Sequence, residues 1–342
     1  MTTDLLTEVV LPGVVEPDGL RIHQRSMPLP ASGEALVEIE ATGISYAEQA
    51  MRRNLYPGQP KFPFVPGYDL VGTVRAVGRG GDDSLVGTRV AAVTKTGAWA
   101  SHAVVGVDEL TPVPEGLDPA AAETVVVNGV TAWQLLQRAD LRAGQTILVH
   151  GANGGVGTVL VQLGRHLGLR VIGTAAARHH DALRALGVEP LDYRDPGMAA
   201  RIRELSPRGV DAVFDPVAGP GVRTSYRLLA PGGKLIVYGN AAALGSARSI
   251  VWVFLKLLAR LYTWNALPNG HRAGFYNFWA GHRTRRTAFR RRLRTDLGIV
   301  LGLLRQGVIV PQIAARFPLT EVSAALVFAE TRSLPGKVVL VP

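Results

Sequence analysis

The residues best suited to chemistry form one short run, His150-Gly151-Ala152-Asn153-Gly154-Gly155-Val156-Gly157. Glycines 151, 154 and 157 have the spacing of a dinucleotide loop. The first permits a tight turn, the second lets the backbone approach a pyrophosphate, and the third lets helix and sheet pack closely. Asn153, Gly154, Gly155 and Val156 would present main-chain N–H groups to the phosphates. The chemistry this implies is the binding of a dinucleotide cofactor. Such a loop must sit between a strand and a helix. Thr146 to His150 is a compact apolar run, as expected of a buried parallel strand, and Val156 to Leu167 has helical apolar spacing.

The next strand, Arg170 to Thr174, bears on which cofactor binds. An NAD site usually carries Asp or Glu at its end, to hold the ribose 2′-hydroxyl. Here the chain reads Ala176-Ala177-Arg178-His179-His180, with no acid before Asp181. A guanidinium fork matches phosphate, so the 2′-phosphate of NADPH is the natural partner of Arg178. The other reading is an exposed loop that happens to carry an arginine.

The surrounding elements are those such a loop requires. Asp181 to Leu186 reads as helix, and Val210 to Phe214 and Lys234 to Tyr238 read as strands. Strands alternating with helices predict a doubly wound parallel sheet, an α/β fold. The first 125 residues differ in texture. Ala35 to Glu40, Gly72 to Val77 and Arg89 to Val93 are short β-like runs, and Pro57, Pro60, Pro63 and Pro66 interrupt regular structure. Phe289, Leu293, Leu297, Val300, Leu301 and Leu304 mark one face of a long helix, with Gly307 placed to end it. Lys337 to Val341 closes the chain as a strand. The C-terminus is therefore expected to return to the first domain, giving residues 1–125 with 283–342 and a nucleotide-binding domain over 126–282.

Composition narrows the function. Among 342 residues there is no cysteine, which excludes disulfides, thiolate nucleophiles and cysteine-ligated zinc. Thirty-seven Lys and Arg against 27 acids give a net charge of +10, which attracts anions. Phosphorylated cofactors, coenzyme A or an acidic acyl carrier protein would fit. Nucleic acid is not expected, because no binding motif or stacking platform accompanies the charge. Arg283, Arg285, Arg286, Arg290, Arg291, Arg292 and Arg294 form a basic run, read as a solvated face or an anion dock. Ser249 to Trp279 is rich in aromatic residues and leucine, suiting a packed lid, an interface, a pocket wall for a bulky apolar substrate or contact with a membrane surface. Its apolar core, Ile250 to Leu261, is broken by Lys256 and Arg260 and is too short for a transmembrane segment. Met1 to Gly13 lacks the pattern of a signal peptide, so a cytoplasmic location is expected.

The chain resembles the zinc-free quinone oxidoreductase and enoyl reductase branch of the medium-chain dehydrogenase/reductase superfamily. The resemblance rests on Gly43-Ile44-Ser45-Tyr46, Arg52, Tyr56-Pro57 and Pro63-Phe64-Val65-Pro66-Gly67-Tyr68-Asp69. It continues through Gly129-Val130-Thr131-Ala132-Trp133, the glycine loop, Asp192-Tyr193-Arg194, Gly209 to Asp215, Gly232-Gly233-Lys234 and Gly336-Lys337-Val338-Val339. It implies a GroES-like β-barrel domain built from both termini, with a Rossmann domain inserted. It implies substrate binding between them, and a homodimer joined along the sheet edge near Gly274-Phe275-Tyr276.

By resemblance, Tyr193 would contact the 2′-phosphate, Thr131 the nicotinamide region, and Asn240 the cofactor. Tyr56 matches a proton-donating tyrosine of enoyl reductases. Ser45 and Glu48 stand where relatives often have Asn and Asp, and with Tyr56 they are the catalytic candidates. Zinc-dependent relatives carry Gly-His-Glu where this chain has Gly67-Tyr68-Asp69. The implied activity is NADPH-dependent reduction of a small apolar enone, enoyl thioester or quinone. The departures at Ser45 and Glu48 keep two alternatives open: a cofactor-binding scaffold without turnover, and a non-redox cyclase.

Overall fold

The computed structural model describes residues 5–241, 250–331 and 333–342. The chain forms two compact units, Met1–Val130 with Gly281–Pro342, and Thr131–Ala280. In chain order it begins with β1 (Leu5–Val10), β2 (Arg21–Ser26), β3 (Glu34–Ile44), α1 (Tyr46–Arg52), β4 (Asp69–Val77), β5 (Arg89–Val93), β6 (His102–Gly106) and β7 (Thr111–Pro112). After α2 (Pro119–Glu123) and α3 (Val127–Ala139) come β8 (Thr146–His150), α4 (Gly155–His166), β9 (Arg170–Ala175), α5 (His180–Ala185), β10 (Glu189–Asp192) and α6 (Met198–Leu205). Then follow β11 (Val210–Asp215), α7 (Val222–Arg227), β12 (Leu229–Val237), α8 (Ile250–Asn265) and β13 (Arg272–Phe275). The chain closes with α9 (Arg286–Arg305), β14 (Ile313–Pro318), α10 (Val322–Thr331) and β15 (Lys337–Val341).

The second unit is a six-stranded sheet in the order β10-β9-β8-β11-β12-β13. Every neighbouring pair is parallel. This is the doubly wound order in which nucleotides bind at the carboxyl ends of the central strands. Helices cover such a sheet, so β8 and β11 read as continuous apolar runs. The strand expected over Lys234 to Tyr238 begins earlier, at Leu229. The ladder with β11 slips between Val210 and Ala212, opposite Pro231-Gly232-Gly233. Proline and glycine belong at such an irregularity rather than in a regular strand, which hid the strand's first half.

Within Ser249 to Trp279, Ser249 lies outside the described residues. Helix α8 buries Leu257 and Leu261 and exposes Trp252, Leu255 and Tyr262. Asn265 at its end brackets the edge strand. Its amide donates to Ala273 O and accepts from Ala273 N, both at 2.7 Å. Among the described residues, no helix is long and apolar enough to cross a membrane.

The first unit carries a seven-stranded sheet in the order β14-β15-β3-β4-β5-β7, with β6 also on β3. The last strand, β15, lies between β14 and β3, antiparallel to β3. Helix α9 buries the six apolar residues expected of it, and Gly307 follows with φ +74°. In the basic run, Arg290 pairs with Asp108 and Glu109, and Arg292 lies over Phe289. Arg52 is buried and binds Val15 O, Glu16 and Glu330, tying three segments together.

At the centre of this unit three charges are enclosed. Lys337 on β15 donates to Asp69 at 2.9 and 3.0 Å and to Glu123. Asp69 also accepts from Val127 N at 3.0 Å. Asp69 and Glu123 are fully buried. A Cβ at Gly43 would collide with the Lys337 and Glu123 side chains, so this close approach needs glycine there. Burial alone would push the Lys337 ammonium down, but the two carboxylates outweigh it and hold it above its usual range. Burial pushes the Glu123 carboxyl well up, opposed by Lys337 and reinforced by Asp69.

Two outcomes follow from one cation facing two buried carboxylates. Lys337→Met leaves both carboxylates without a cation and should destabilise the protein by about 3–5 kcal/mol, measured by urea denaturation. For Glu123, a raised folded pKa means that the folded state holds the proton more tightly. Its stabilising contribution is complete below the ordinary value of 4.5 and is lost as pH rises through the folded value. Glu123→Gln, which cannot ionise, should therefore gain on the parent protein as pH rises above 4.5 in parallel denaturation curves.

Candidate functional site

The glycine run lies where β8 hands over to α4. Gly151 has φ +63°, the left-handed turn that its position demands. A Cβ at Gly157 would lie 2.8 Å from Ala152 Cα and would strike Gly151 O, so the close helix-strand packing requires glycine. Gly154 is the N-cap of α4, with Gly155 and Val156 as the first helical residues, and no side chain caps this end. No acid stands in the first turn. Uncapped N–H groups and the helix dipole therefore favour an anion here. Asn153 is half-buried in the turn just before. These residues fit a dinucleotide pyrophosphate.

Two further candidates follow the carboxyl ends of neighbouring strands, since β9 and β10 pair with Asp192 beside Ala175. Arg178, after β9, is exposed, and its Nε donates to His179 Nε2 at 3.2 Å. Tyr193, after β10, is also exposed, with the Arg194 guanidinium 5.2 Å from its ring centroid. The nearby acids have local partners. Asp181 pairs with Arg184 at 2.7 Å, and Asp192 accepts from Arg194 N at 2.9 Å. Thr131 is buried on α3, and Asn240 is half-buried beyond β12.

Beneath the loop lies a network that the sequence reading did not single out. His150 meets Thr174 Oγ1 at 2.9 Å through Nδ1 and Ser225 Oγ at 3.1 Å through Nε2. Ser225 Oγ also donates to Asp215 at 3.3 Å, and Asp215 accepts from Val217 N and Ala218 N. Burial lowers the His150 imidazole and Asp215 opposes it. One histidine thus braces the ends of β8, β9, β11 and α7. Asp215 also helps burial push the Tyr238 phenol up. Of these residues, His150 and Asp215 stood inside recognisable motifs, and Ser225 did not.

In the first unit the catalytic candidates form a chain of contacts. Ser45 is the N-cap of α1, and Glu48 completes a capping box with it. The Glu48 carboxylate accepts from Ser45 N at 2.8 Å, Ser45 Oγ at 2.5 Å and Tyr68 N at 2.8 Å. It is buried, and burial raises its pKa against those hydrogen bonds. Glu48 thus holds two backbone segments together rather than presenting an open carboxylate. Tyr56 OH meets Tyr68 OH at 2.7 Å. Tyr56 is half-buried and Tyr68 is buried. Sequence reasoning treated Tyr68 only as a missing histidine, although its hydroxyl now stands beside Tyr56.

Comparison with known proteins identifies the family. The family model described as alcohol dehydrogenase GroES-like domain matches residues 31–136, and the one described as zinc-binding dehydrogenase matches residues 186–340. Zinc does not fit the residues present. The chain has no cysteine, Tyr68 stands in the histidine position, and Asp69 is engaged by Lys337. Among the described residues, no group of three His, Cys, Asp or Glu could hold a metal ion. The human synaptic vesicle membrane protein VAT-1 homolog is 34% identical over 99% of this chain and 87% of its own length. Human quinone oxidoreductase is 29% identical over 63% of this chain and 67% of its own. The solved structure of a mycobacterial protein complexed with NADPH superposes with a TM-score of 0.84 at 28% identity, covering 98% of this chain and all of that one. The chain belongs to the zinc-free quinone oxidoreductase branch of the medium-chain dehydrogenase/reductase superfamily, as an oxidoreductase with a GroES-like domain and a Rossmann domain for a nicotinamide cofactor.

Proposed function

We propose that this protein is an NADPH-dependent, metal-free reductase of electron-poor double bonds, with quinones as a second acceptor class. The observation that carries the cofactor choice is the corner beyond β9 and β10. Arg178 and Tyr193 stand there exposed, Arg178 beside His179; of the nearby acids, Asp181 is paired with Arg184 and Asp192 accepts from Arg194 N. A 2′-phosphate would find a guanidinium and a phenol hydroxyl; a 2′-hydroxyl would find no carboxylate set out for it. The mycobacterial relative solved with NADPH supports this choice. Human quinone oxidoreductase supports the acceptor class.

When bound, the cofactor supplies a hydride, which adds to the β-carbon of an enone or enoyl thioester. The electron pair of the double bond moves to the carbonyl oxygen as an enolate, and a proton must then reach the α-carbon. Tyr56 supplies that proton in this reading. A phenol hydroxyl carries a proton that it can donate. Ser45 and Glu48 act indirectly, by holding the segment that carries Tyr68. The acceptor is an apolar small molecule, free or carried as a thioester on coenzyme A or a carrier protein. A homodimer along the β13 edge belongs to the same reading, though Asn265 already engages both main-chain groups of Ala273.

Arg178→Ala should weaken NADPH by about 10- to 100-fold, the scale of a lost charge-assisted hydrogen bond, and leave NADH nearly unchanged. Titrating both cofactors by calorimetry checks this, and equal losses would refute the 2′-phosphate role. Tyr56→Phe should slow enone or enoyl-thioester turnover by about 10²–10⁴-fold and quinone turnover far less. NADPH oxidation across a panel of acceptors measures it. Bound NADPH with no acceptor reduced would favour a scaffold, and product without NADPH consumption would favour a cyclase.

A further inference from the structure

We infer that Tyr68 is a positioning residue that prepares Tyr56 to release its proton. The inference rests on the reading of Tyr56 as proton donor. The two hydroxyls are 2.7 Å apart, and the rings meet edge to face at 81°, with centroids 6.0 Å apart. The partners are unequally held. Tyr56 lies in the loop between α1 and β4, two residues before Gly58 with φ +69°. Tyr68 is 4% exposed. Its N–H donates to Glu48 at 2.8 Å, and its carbonyl accepts from Thr94 N at 2.9 Å and Lys95 N at 3.0 Å. Glu48 is itself fixed by both groups of Ser45. Ser45, Glu48 and Tyr68 thus form one anchored chain ending at the Tyr56 hydroxyl.

Either hydroxyl can donate across the 2.7 Å contact, and the direction that serves proton release is the one with Tyr68 as donor. When Tyr56 gives its proton to the α-carbon of the enolate, a C–H bond forms, the O–H bond breaks, and a phenolate remains. Tyr68 O–H donates to that phenolate from a position that needs no rearrangement. Hydrogen bonding to the charged form favours it, so Tyr56 becomes the stronger acid. The pre-set donor acts in the same manner as an oxyanion hole, here toward the enzyme's own conjugate base rather than toward the substrate. The charged groups around the pair are Glu48, whose carboxylate is turned to Ser45 and the Tyr68 N–H, Asp69, next in the chain and engaged by Lys337, and Lys95, whose ammonium donates to Gly58 O at 2.8 Å and feels Arg283. None is removed by a change at the Tyr68 hydroxyl.

The test is the pH profile of kcat for NADPH-dependent reduction of an enone by the intact protein. Tyr68→Phe should lower kcat by about tenfold with KM little changed, the scale of one hydrogen bond. It should also move the alkaline limb, where Tyr56 loses its proton, up by about one pH unit. Replacing Tyr68 by 3-fluorotyrosine keeps the ring and strengthens the donor, so the limb should move down. This second variant decides the matter if Tyr68→Phe folds poorly by circular dichroism. Unmoved limbs in the variants that fold, with Tyr56→Phe still slow, would overturn the role of Tyr68 and leave Tyr56 as donor. Full enone turnover in Tyr56→Phe would overturn the donor reading and this inference together.

Discussion

One ammonium between two carboxylates governs the first unit. Lys337, Asp69 and Glu123 come from β15, β4 and α2, far apart in the chain and joined at a point closed to solvent. Each charge would be untenable there alone. Their mutual attraction therefore fixes where three elements meet. Gly43 on β3 belongs to the same constraint, since any side chain there would enter the cluster. Asp69 also receives the first N–H of α3, so the start of that helix is set by the same carboxylate. The residue before Asp69 is Tyr68. Its rigidity follows partly from this neighbour and partly from Glu48.

Much of this was legible in the residues. Regular elements announce themselves by period. The six apolar positions of α9 and the apolar run of β8 were read with their burial correct, because packing against one neighbour imposes one spacing. The glycine loop was readable for a related reason, since Gly151 and Gly157 answer steric demands at a fixed spacing. What escaped were elements that lack a period. Strands β1 and β2 form a two-stranded ribbon whose second strand is exposed throughout, so no burial pattern marked it. The first half of β12 was hidden by Pro231-Gly232-Gly233.

The candidate site was less legible than the fold, because hydrogen bonds between side chains leave no spacing rule. Ser225 is 75 residues from His150, and nothing local pairs them. Glu48 is instructive in another way. It became a catalytic candidate through the position it shares with the Asp of relatives, yet, three residues after Ser45, it completes a capping box. The capping contact is the one that formed, and the carboxylate acquired a third partner in Tyr68 N. The likeness to reductases drew attention to Tyr56. It gave no reason to look at Tyr68, which sits where zinc relatives place a ligand. The histidine position thus kept a polar group, now turned toward another protein hydroxyl.

The placement of β15 has a consequence in time as well as in space. The Rossmann unit is contiguous over Thr131–Ala280, so its sheet can assemble as soon as that stretch is made. The other unit begins first and finishes last. Asp69 on β4 and Glu123 on α2 are synthesised early, yet the cation that pairs with both is residue 337. Until the ribosome delivers Lys337, about 60 residues after the Rossmann unit is complete, neither carboxylate has a counter-charge with which to be buried. During synthesis the early unit must therefore stay open or hold extra protons. Its closure is timed by the final strand.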